Sequence, residues 1–402
     1  AGLVVVETVP ADLPPTCGAV VVRDALHALG DLAAAHRRRF SVPAVGITGS
    51  NGKTTTKELL ATVFETAYGA EVVLRTIGTQ NNLVGLPLTL LRLGADDRVA
   101  VLEMGMNGPV EIWRMAAIAA PDVGVITCIA AAHLEGLGTV HGIAEAKSEL
   151  YRQLRPSSVA VVNADDPLVA AAARAAAGRV LRFGHECEAD VSATDIEDAG
   201  LDGSRFCLRI ENATAPVHLA LPGRHNITNA LAAAAAAAAL GVPLATIAAG
   251  LSAARGPAMR LERVQLANGV TVVNDAYNAN PASMCAALQT LAASTASRRL
   301  AVLGDMRELG PDVDRLHHEV GVAAGGAGLA GLYLLGEHAP AVRAGALAAG
   351  LSADRIVVGS DHADVASRLR TALRPGDVVL IKGSRGSAME RVLRHLETET
   401  TP

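Results

Sequence analysis

The sequence has few aromatic residues, no long run of one charge and no unbroken apolar stretch of membrane length. Only 2% of its 402 residues are Phe, Trp or Tyr, yet 50% are hydrophobic. An intrinsically disordered chain is excluded, because this apolar fraction can form cores. The net charge is −5 and no basic run is longer than Arg37–Arg39, so no nucleic-acid surface is expected. The length favours two or three domains.

Cysteines and targeting signals are equally sparse. The cysteines are odd in number, widely spaced and never CxxC, which predicts free buried thiols in a reducing cytosol; they are Cys17, Cys128, Cys187, Cys207 and Cys285. No charged segment followed by an apolar one begins the chain, so no signal peptide is predicted. The uncharged stretch Ala230–Leu251 is mostly alanine and is broken at Gly241–Pro243. It predicts two short helices and no membrane span, so we expect a cytoplasmic protein.

Changes in pattern along the chain predict three parts. Residues 1–23 contain two short apolar runs, Leu3–Val6 and Ala19–Val22, which are too small to fold alone. They predict the remnant of an N-terminal domain, and the lack of an initial Met fits a fragment. Residues 24–255 form a predicted central domain and residues 256–402 a predicted C-terminal domain, with a hinge at Ala253–Arg260.

The central domain is predicted to be α/β with a mostly parallel sheet, because strands and helices alternate. Helices are expected at Asp24–Phe40, Thr54–Glu65 and Asn229–Leu240. Strands are expected at Ala44–Thr48, Val99–Glu103, Val123–Ile129 and Val159–Asn163. Short alternating strands at Arg205–Ile210 and Val217–Leu221 predict an antiparallel extension.

The C-terminal domain repeats the alternation and predicts a Rossmann-like, doubly wound sheet. Its strands are expected at Val270–Asn274, Leu300–Leu303, Leu332–Leu335, Ile356–Val358 and Val378–Lys382. Polar loops follow three of them, so the carboxyl edge of this sheet is expected to face a ligand.

The strongest local signal is a phosphate-binding loop between a predicted strand and a predicted helix. Its glycines let backbone N–H groups converge on phosphate, Lys53 neutralises charge and Thr54 can ligate Mg²⁺. The residues expected to bind nucleotide here are Gly49, Ser50, Asn51, Gly52, Lys53, Thr54 and Thr55. Glu103, which ends an apolar strand, is the expected carboxylate ligand of the metal.

Other polar residues lie where an ordinary loop needs none. Asn81 and Asn82 follow a short strand region, and His133 follows the strand at 123–129 as either a loop histidine or a ligand. Spacing alone interprets Lys147 as a solvated helix lysine. Asn226 precedes the alanine helix and either caps it or presents its amide to a base.

Several motifs in the same order resemble the Mur ligase family over most of residues 20–397. They are residues 46–55, 132–135, 221–226, 274–281 and 382–385. The resemblance implies an ATP- and Mg²⁺-dependent amide ligase of peptidoglycan synthesis. The reaction that the resemblance implies joins D-alanyl-D-alanine to UDP-MurNAc-tripeptide through an acyl phosphate. Val110 departs from the family, where glycine is frequent.

The resemblance also implies roles for single residues. His133 and a carbamylated Lys147 would bind metal with Thr54 and Glu103, and Arg260 would approach the γ-phosphate. Asn226 would pair with adenine and Asp275 with ribose. Contacts to nucleotide or substrates are expected from Asn81, Asn82, Asn278, Asn280 and Lys382. The partners are small molecules, and a monomer is expected.

Two alternatives remain open at this point. One is another ligase of the Mur or folylpolyglutamate type, and the other is a nucleotide-switch protein without ligase activity. For the ligase, binding of ATP between two domains predicts closure, which excludes water that would hydrolyse the acyl phosphate. The switch protein predicts ATP binding or hydrolysis that no amine substrate affects.

Overall fold

The computed structural model describes residues 2–132 and 134–398. The strands are β1 (Leu3–Val6), β2 (Gly18–Val21), β3 (Ala44–Thr48), β4 (Val73–Arg75), β5 (Val99–Glu103), β6 (Val123–Ile126), β7 (Val159–Asn163), β8 (Arg179–Gly184), β9 (Val191–Asp198), β10 (Ser204–Ile210), β11 (Ala213–Leu219), β12 (Glu262–Gln265), β13 (Thr271–Asp275), β14 (Arg299–Gly304), β15 (Gly331–Leu335), β16 (Ile356–Val358) and β17 (Val378–Lys382). The α-helices are α1 (Ala25–Arg37), α2 (Lys53–Tyr68), α3 (Gly85–Leu90), α4 (Glu111–Ala119), α5 (Leu134–Leu137), α6 (Val140–Arg152), α7 (Pro167–Ala172), α8 (His225–Ala239), α9 (Leu244–Ala253), α10 (Pro281–Ala292), α11 (Val313–Gly326), α12 (Ala339–Ala348), α13 (His362–Ala372) and α14 (Glu390–Thr398).

The central sheet has nine strands in the order β11-β10-β9-β8-β7-β6-β3-β5-β4. All neighbours from β4 to β9 pair in parallel, whereas β9, β10 and β11 pair antiparallel. Strands β3, β5 and β6 are buried along their whole length, as expected when helices cover both faces of a parallel sheet. The predicted mostly parallel sheet with an antiparallel extension is confirmed.

The second sheet has six strands in the order β12-β13-β17-β14-β15-β16. Its strands are parallel except for the antiparallel pair β12 and β13. The predicted Rossmann-like sheet is therefore confirmed, with one extra edge strand. Strand β12 alternates between half-buried and exposed residues, which leaves a weak apolar signal in the sequence.

Helix α2, which follows β3, packs closely against α8 and α9. Helix α8 is largely alanine, and Ala232–Ala237 are completely buried. A Cβ at Gly250 of α9 would lie 2.6 Å from Val63 Cα of α2, so only glycine allows this approach. Small side chains thus hold the helix of the phosphate-binding loop close to its neighbours.

Residues 2–22 carry a separate two-stranded parallel sheet of β1 and β2. Its apolar residues are largely exposed, and Leu3 and Val21 are 58% and 60% exposed. The two strands predicted in this region are present.

Some expectations about local structure were wrong. The strand predicted over Val123–Ile129 ends at Ile126, because Thr127 turns toward the phosphate-binding loop and its N–H donates to Thr48 O at 3.0 Å. Strand β8 was not predicted. The cysteines, all within the described residues, are free but not fully buried, and Cys187 is exposed between β8 and β9.

The expectation of two short helices in place of a membrane span is confirmed by α8 and α9. Gly241, at φ 78°, and Pro243, at the N-cap of α9, separate them. Across the described ranges, every helix is too short or too polar to cross a membrane.

Candidate active site

The phosphate-binding loop joins the carboxyl end of β3 to the N-terminus of α2, as predicted. Gly49 and Gly52 have φ values of 149° and 81°. A Cβ at Gly49 would collide with Thr127 Oγ1, and one at Gly52 would collide with Asn229 Oδ1. Gly52, at the N-cap, carries no side chain, so the first amides of α2 and its dipole are available to an anion.

Lys53 is the first residue of α2, and its side chain points back over the loop. Its Nζ donates to Gly49 O at 2.7 Å. Burial lowers the pKa of Lys53, the Glu103 carboxylate opposes that shift, and the positive charge of Arg260 adds to it. The ammonium can therefore exchange a backbone carbonyl for a phosphate oxygen.

Thr54 and Glu103 form the centre of the site. Thr54 Oγ1 donates to Glu103 Oε1 at 3.1 Å, and Asn81 Nδ2 donates to the same oxygen at 2.8 Å. Glu103 is 2% exposed, and its Oε2 is buried without a hydrogen-bond partner among the described residues. A buried carboxylate oxygen without a donor suits a cation.

This oxygen set fits magnesium. Within residues 2–132 and 134–398, no group of three or more His, Cys, Asp or Glu side chains could hold a metal ion. Mg²⁺ is instead commonly bound by one or two carboxylates together with water and substrate phosphates. Glu103 Oε2 and Thr54 Oγ1, beside a phosphate-binding loop, offer that arrangement.

Lys147 lies inside α6 and not in solvent, so its interpretation as a solvated helix lysine was wrong. It is 1% exposed, and the described residues provide neither a hydrogen bond nor an ion pair to its Nζ. Burial lowers the pKa of Lys147 well below its ordinary value, and the charge of Lys53 lowers it further. His133, the other expected ligand, lies outside the described residues.

Arg260 reaches the loop from the other side of the cleft. Its Nη2 donates to Thr54 Oγ1 at 3.0 Å, and its guanidinium lies over the Tyr277 ring, 4.2 Å from the centroid. Met259 and Leu261 on either side have φ values of 56° and 53°. Such strained backbone is kept where the surrounding structure determines it.

Asp275, at the end of β13, is held by its neighbours. Lys382 Nζ donates to Asp275 Oδ2 at 2.6 Å and to Asn278 O at 3.1 Å, while Leu261 N donates to Asp275 Oδ1 at 3.2 Å. The carboxyl ends of β13 and β17 are thereby tied to the strained segment that carries Arg260.

Asn226 and Asn229 make a small amide network in the first turn of α8. Asn226 Nδ2 donates to Pro222 O at 2.7 Å, and Asn229 Nδ2 donates to Asn226 Oδ1 at 2.9 Å. The N-cap of α8 is Arg224, so the interpretation of Asn226 as a cap was wrong.

A second amide pair crosses the cleft. Asn280 Nδ2 donates to Asn51 Oδ1 at 2.8 Å, and Asn51 Nδ2 donates back at 3.3 Å. Asn280 also caps α10 by accepting from Ser283 N. Asn82 instead bonds locally, since its Oδ1 accepts from Gly85 N at 2.8 Å.

Most of these groups border one cavity of about 640 Å³ between the carboxyl edges of the two sheets. The structure therefore brings together these predicted residues: Ser50, Asn51, Gly52, Lys53, Thr54, Thr55, Asn81, Asn82, Glu103, Asn226, Arg260, Asp275, Asn278, Asn280 and Lys382. Gly49 and Lys147 are not among the lining residues. Sequence reasoning missed Tyr277 and His225, which also line the cavity. An aromatic residue two positions after Asp275 was the available signal for Tyr277.

Comparisons with known proteins agree with this geometry. Residues 47–237 match the Mur ligase middle domain, and residues 259–385 match the Mur ligase, glutamate ligase domain. The chain is 37% identical over 406 residues to the UDP-N-acetylmuramoyl-tripeptide--D-alanyl-D-alanine ligase of Escherichia coli (strain K12), over 99% of this chain and 86% of the relative. The chain belongs to the Mur ligase family.

Solved structures of Mur ligases have the same fold. A crystal structure of MurF from Acinetobacter baumannii matches with a TM-score of 0.90 and 35% identity, over 98% of this chain and 84% of that chain. MurF ligase from Thermotoga maritima in complex with ADP matches with a TM-score of 0.87 and 28% identity, over 100% and 89% of the two chains.

Proposed function

We propose that this Mur ligase joins D-alanyl-D-alanine to UDP-N-acetylmuramoyl-tripeptide, a step of peptidoglycan precursor synthesis, and converts ATP to ADP and phosphate. The observation that carries the proposal is the cleft, where a phosphate-binding loop and Glu103 face Arg260 and Asp275. Relatives that match nearly the whole chain are named for this reaction. The protein acts in the cytoplasm as a monomer on small molecules.

The two large sheets and the two family matches support separate central and C-terminal domains. We assign residues 1–23 to a domain that binds the UDP substrate, residues 24–255 to the ATP-binding domain and residues 256–402 to the ligase domain. Residues 254–261, between α9 and β12, include Arg260, which supports a hinge next to a residue of the site.

ATP binding uses both sides of the cleft. Gly49–Thr55 hold the phosphates, and Lys53 moves from Gly49 O to a phosphate oxygen. Asn226 faces adenine and Asp275 faces the ribose. Lys382 and Asn278 fix the orientation of Asp275, because Lys382 Nζ bonds both residues.

Magnesium, when bound, offsets negative charge on the phosphates and the transferring phosphoryl group. Thr54, Glu103, His133 and the carbamate of Lys147 would hold it. Burial lowers the pKa of the Lys147 amine well below its ordinary value, which increases the fraction of neutral amine that can attack CO₂. The product is a carbamate, and one proton is released to solvent.

The reaction proceeds in two transfers. A carboxylate oxygen of the tripeptide attacks the γ-phosphorus, the bond to the β-phosphate oxygen breaks, and ADP leaves. The amine of D-alanyl-D-alanine then attacks the acyl phosphate carbon, phosphate leaves, and the nitrogen loses a proton. Lys53 and Arg260 stabilise the charge that develops on the phosphoryl oxygens. Asn81, Asn82 and Asn280 contact the substrates at the rim.

The decisive experiment measures phosphate release from ATP. We expect release only when UDP-MurNAc-tripeptide and D-alanyl-D-alanine are both present, with no replacement of the dipeptide by diaminopimelate or glutamate. Lys53→Ala should lower turnover by about 10³-fold, because one donor to the developing charge is lost. Arg343→Ala removes an exposed positive charge on α12 and should leave turnover unchanged.

Two results would contradict the proposal. Equal phosphate release without the dipeptide would favour a nucleotide switch. Product formation with glutamate in its place would favour a ligase of the folylpolyglutamate type.

A further inference from the structure

Lysine is rare in this chain. The 35 basic residues comprise 31 arginines and the four lysines Lys53, Lys57, Lys147 and Lys382. All four lie in the described ranges, and all except Lys53 are at most 2% exposed. Lys53, Lys147 and Lys382 belong to the site above, whereas Lys57 has no role in the proposed mechanism.

Lys57 lies one helical turn after Lys53 on α2 and is buried, at 1% exposed. Its Nζ donates to Thr76 O at 2.9 Å and lies 2.6 Å from Glu58 Oε1. A buried ammonium has a large desolvation cost, and removing its partners leaves that cost uncompensated. The bond between Lys57 and the Thr76 carbonyl is therefore a strong constraint on where the chain runs after β4.

Thr76 connects Lys57 to Glu103 through hydrogen bonds. The Thr76 hydroxyl accepts a hydrogen bond from Glu103 N at 3.0 Å, and Thr76 N donates to Val101 O at 3.1 Å. Strand β4 has only three residues and lies at the sheet edge, so few other bonds hold its end in place.

The segment Thr76–Asn81 then returns to the same glutamate from the other side. Asn81 Nδ2 donates to Glu103 Oε1, and Gly105 N donates to Asn81 O at 2.7 Å. With Oε1 engaged by Asn81 and Thr54, Oε2 is the oxygen left for a cation. The position of this segment thus decides which carboxylate oxygen faces the metal.

We infer that Lys57 is a positioning residue that anchors the segment Thr76–Asn81 and thereby orients the Glu103 carboxylate toward the metal. The inference rests on the proposed function, because it takes Glu103 as a metal ligand. Lysine suits the position because its ammonium is compact, whereas the planar guanidinium of arginine needs a wider set of acceptors.

The chain offers a matched control in Arg37. This cation is also buried, at 7% exposed, and it donates to the backbone carbonyls Ala119 O at 3.1 Å and Phe40 O at 2.9 Å. It lies near Asp122, at the amino end of β6, whereas Glu103 lies at the carboxyl end of β5. Replacing it removes a buried, hydrogen-bonded cation without touching the cleft.

The test measures Mn²⁺ binding by electron paramagnetic resonance in the presence of ADP, with Mn²⁺ as the probe for the magnesium site. Lys57→Met should weaken Mn²⁺ binding by about tenfold, as loss of a residue that orients a metal ligand does. ADP binding measured without metal should stay within about twofold of wild type, because the phosphate-binding loop is intact. Arg37→Met should lower thermal stability and keep wild-type Mn²⁺ affinity.

A second pair of variants covers the case in which Lys57→Met does not fold. Thr76→Val removes the hydroxyl that accepts from Glu103 N and should also weaken Mn²⁺ binding. Thr76→Ser keeps a hydroxyl at this position and should bind Mn²⁺ with wild-type affinity. Unchanged Mn²⁺ affinity in Thr76→Val or in folded Lys57→Met, or equal weakening in Arg37→Met, overturns the inference. Wild-type Mn²⁺ affinity in Glu103→Gln would instead contradict the metal site of the proposed function.

Discussion

At the scale of single residues, burial gives Lys147 a different chemistry from an ordinary lysine. Its pKa is lowered by desolvation and by the nearby charge of Lys53. An ordinary lysine, with a pKa of about 10.4, is almost entirely protonated at neutral pH and is a poor nucleophile. The environment of Lys147 favours loss of that proton and so favours carbamate formation.

We predict that activity depends on this neutral amine. Lys147→Ala should lower turnover on the order of 100-fold, since a group that supports the metal is lost. A small added carboxylate should restore part of the activity by occupying the space of the carbamate. Steady-state rates at increasing formate or acetate check this, and absence of rescue at every concentration would contradict a carbamate.

The pH dependence has a definite sign. Because the folded pKa of Lys147 is lowered, the unfolded chain binds more protons between that pKa and about 10.4, so this group makes stability rise with pH across the window. Activity should fall as pH decreases through the lowered pKa, because protonation of the amine prevents carbamate formation.

At the scale of secondary structure elements, α4 begins at an unusual residue. Val110, its N-cap, has φ 68° and is 60% exposed. The Glu149 carboxylate of α6 accepts from Val110 N and Trp113 N, both at 2.9 Å. The helix start is therefore held by α6, although valine disfavours this backbone conformation.

We predict that Val110→Gly stabilises the protein by roughly 0.5–1 kcal/mol. The left-handed conformation costs a non-glycine residue about 1–2 kcal/mol, and the greater freedom of unfolded glycine offsets part of that gain. Val84, an exposed N-cap valine of α3 with φ −98°, is the control. Val84→Gly should destabilise by about 0.5–1 kcal/mol. Urea unfolding midpoints compare the two variants, and equal shifts would contradict the prediction.

At the scale of the whole molecule, polar contacts span the cleft. They include Arg260 with Thr54, Asn280 with Asn51, and Glu135 N donating to Glu308 O at 3.3 Å. A single hydrogen bond contributes about 0.5–1.5 kcal/mol net. Contacts of this size allow the two sides to open and close around substrates.

We predict that Asn280→Ser loosens the cleft without unfolding α10, because serine keeps the N-cap but cannot form the amide pair with Asn51. Trypsin cleavage after the exposed Arg255 in the proposed hinge should become roughly two- to tenfold faster. Asn268→Ser is the control, since Asn268 accepts a hydrogen bond from Val270 N within its own turn. Equal cleavage rates in the two variants would contradict a role for the amide pair in closure.

Much of this architecture could be predicted from the sequence, but contacts between distant segments could not. Apolar runs predicted β3, β5 and the five parallel strands of the second sheet, and glycine spacing predicted the phosphate-binding loop. Strand β12 was not predicted, because this edge strand has no fully buried residue and so leaves no apolar run in the sequence. The burial of Lys147 was not predicted, because helical spacing does not show which other segments pack against the helix.

Residue roles depended on the resemblance to Mur ligases more than on spacing. The resemblance implied that Thr54, Glu103 and Arg260 share one site, and the structure brings them together. No local pattern joined Lys57 to Thr76 or Asn51 to Asn280, because these pairs form only when strand order and packing are fixed.

The enclosure of the four lysines also affects how this protein can be handled in the laboratory. Dyes, cross-linkers and resins that couple through amines find no fully exposed lysine side chain, and Lys53 is the most accessible of the four. Among the lysine side chains, that chemistry would therefore modify the nucleotide loop first. Coupling through the exposed Cys187, which does not line the cleft, would leave the nucleotide loop accessible.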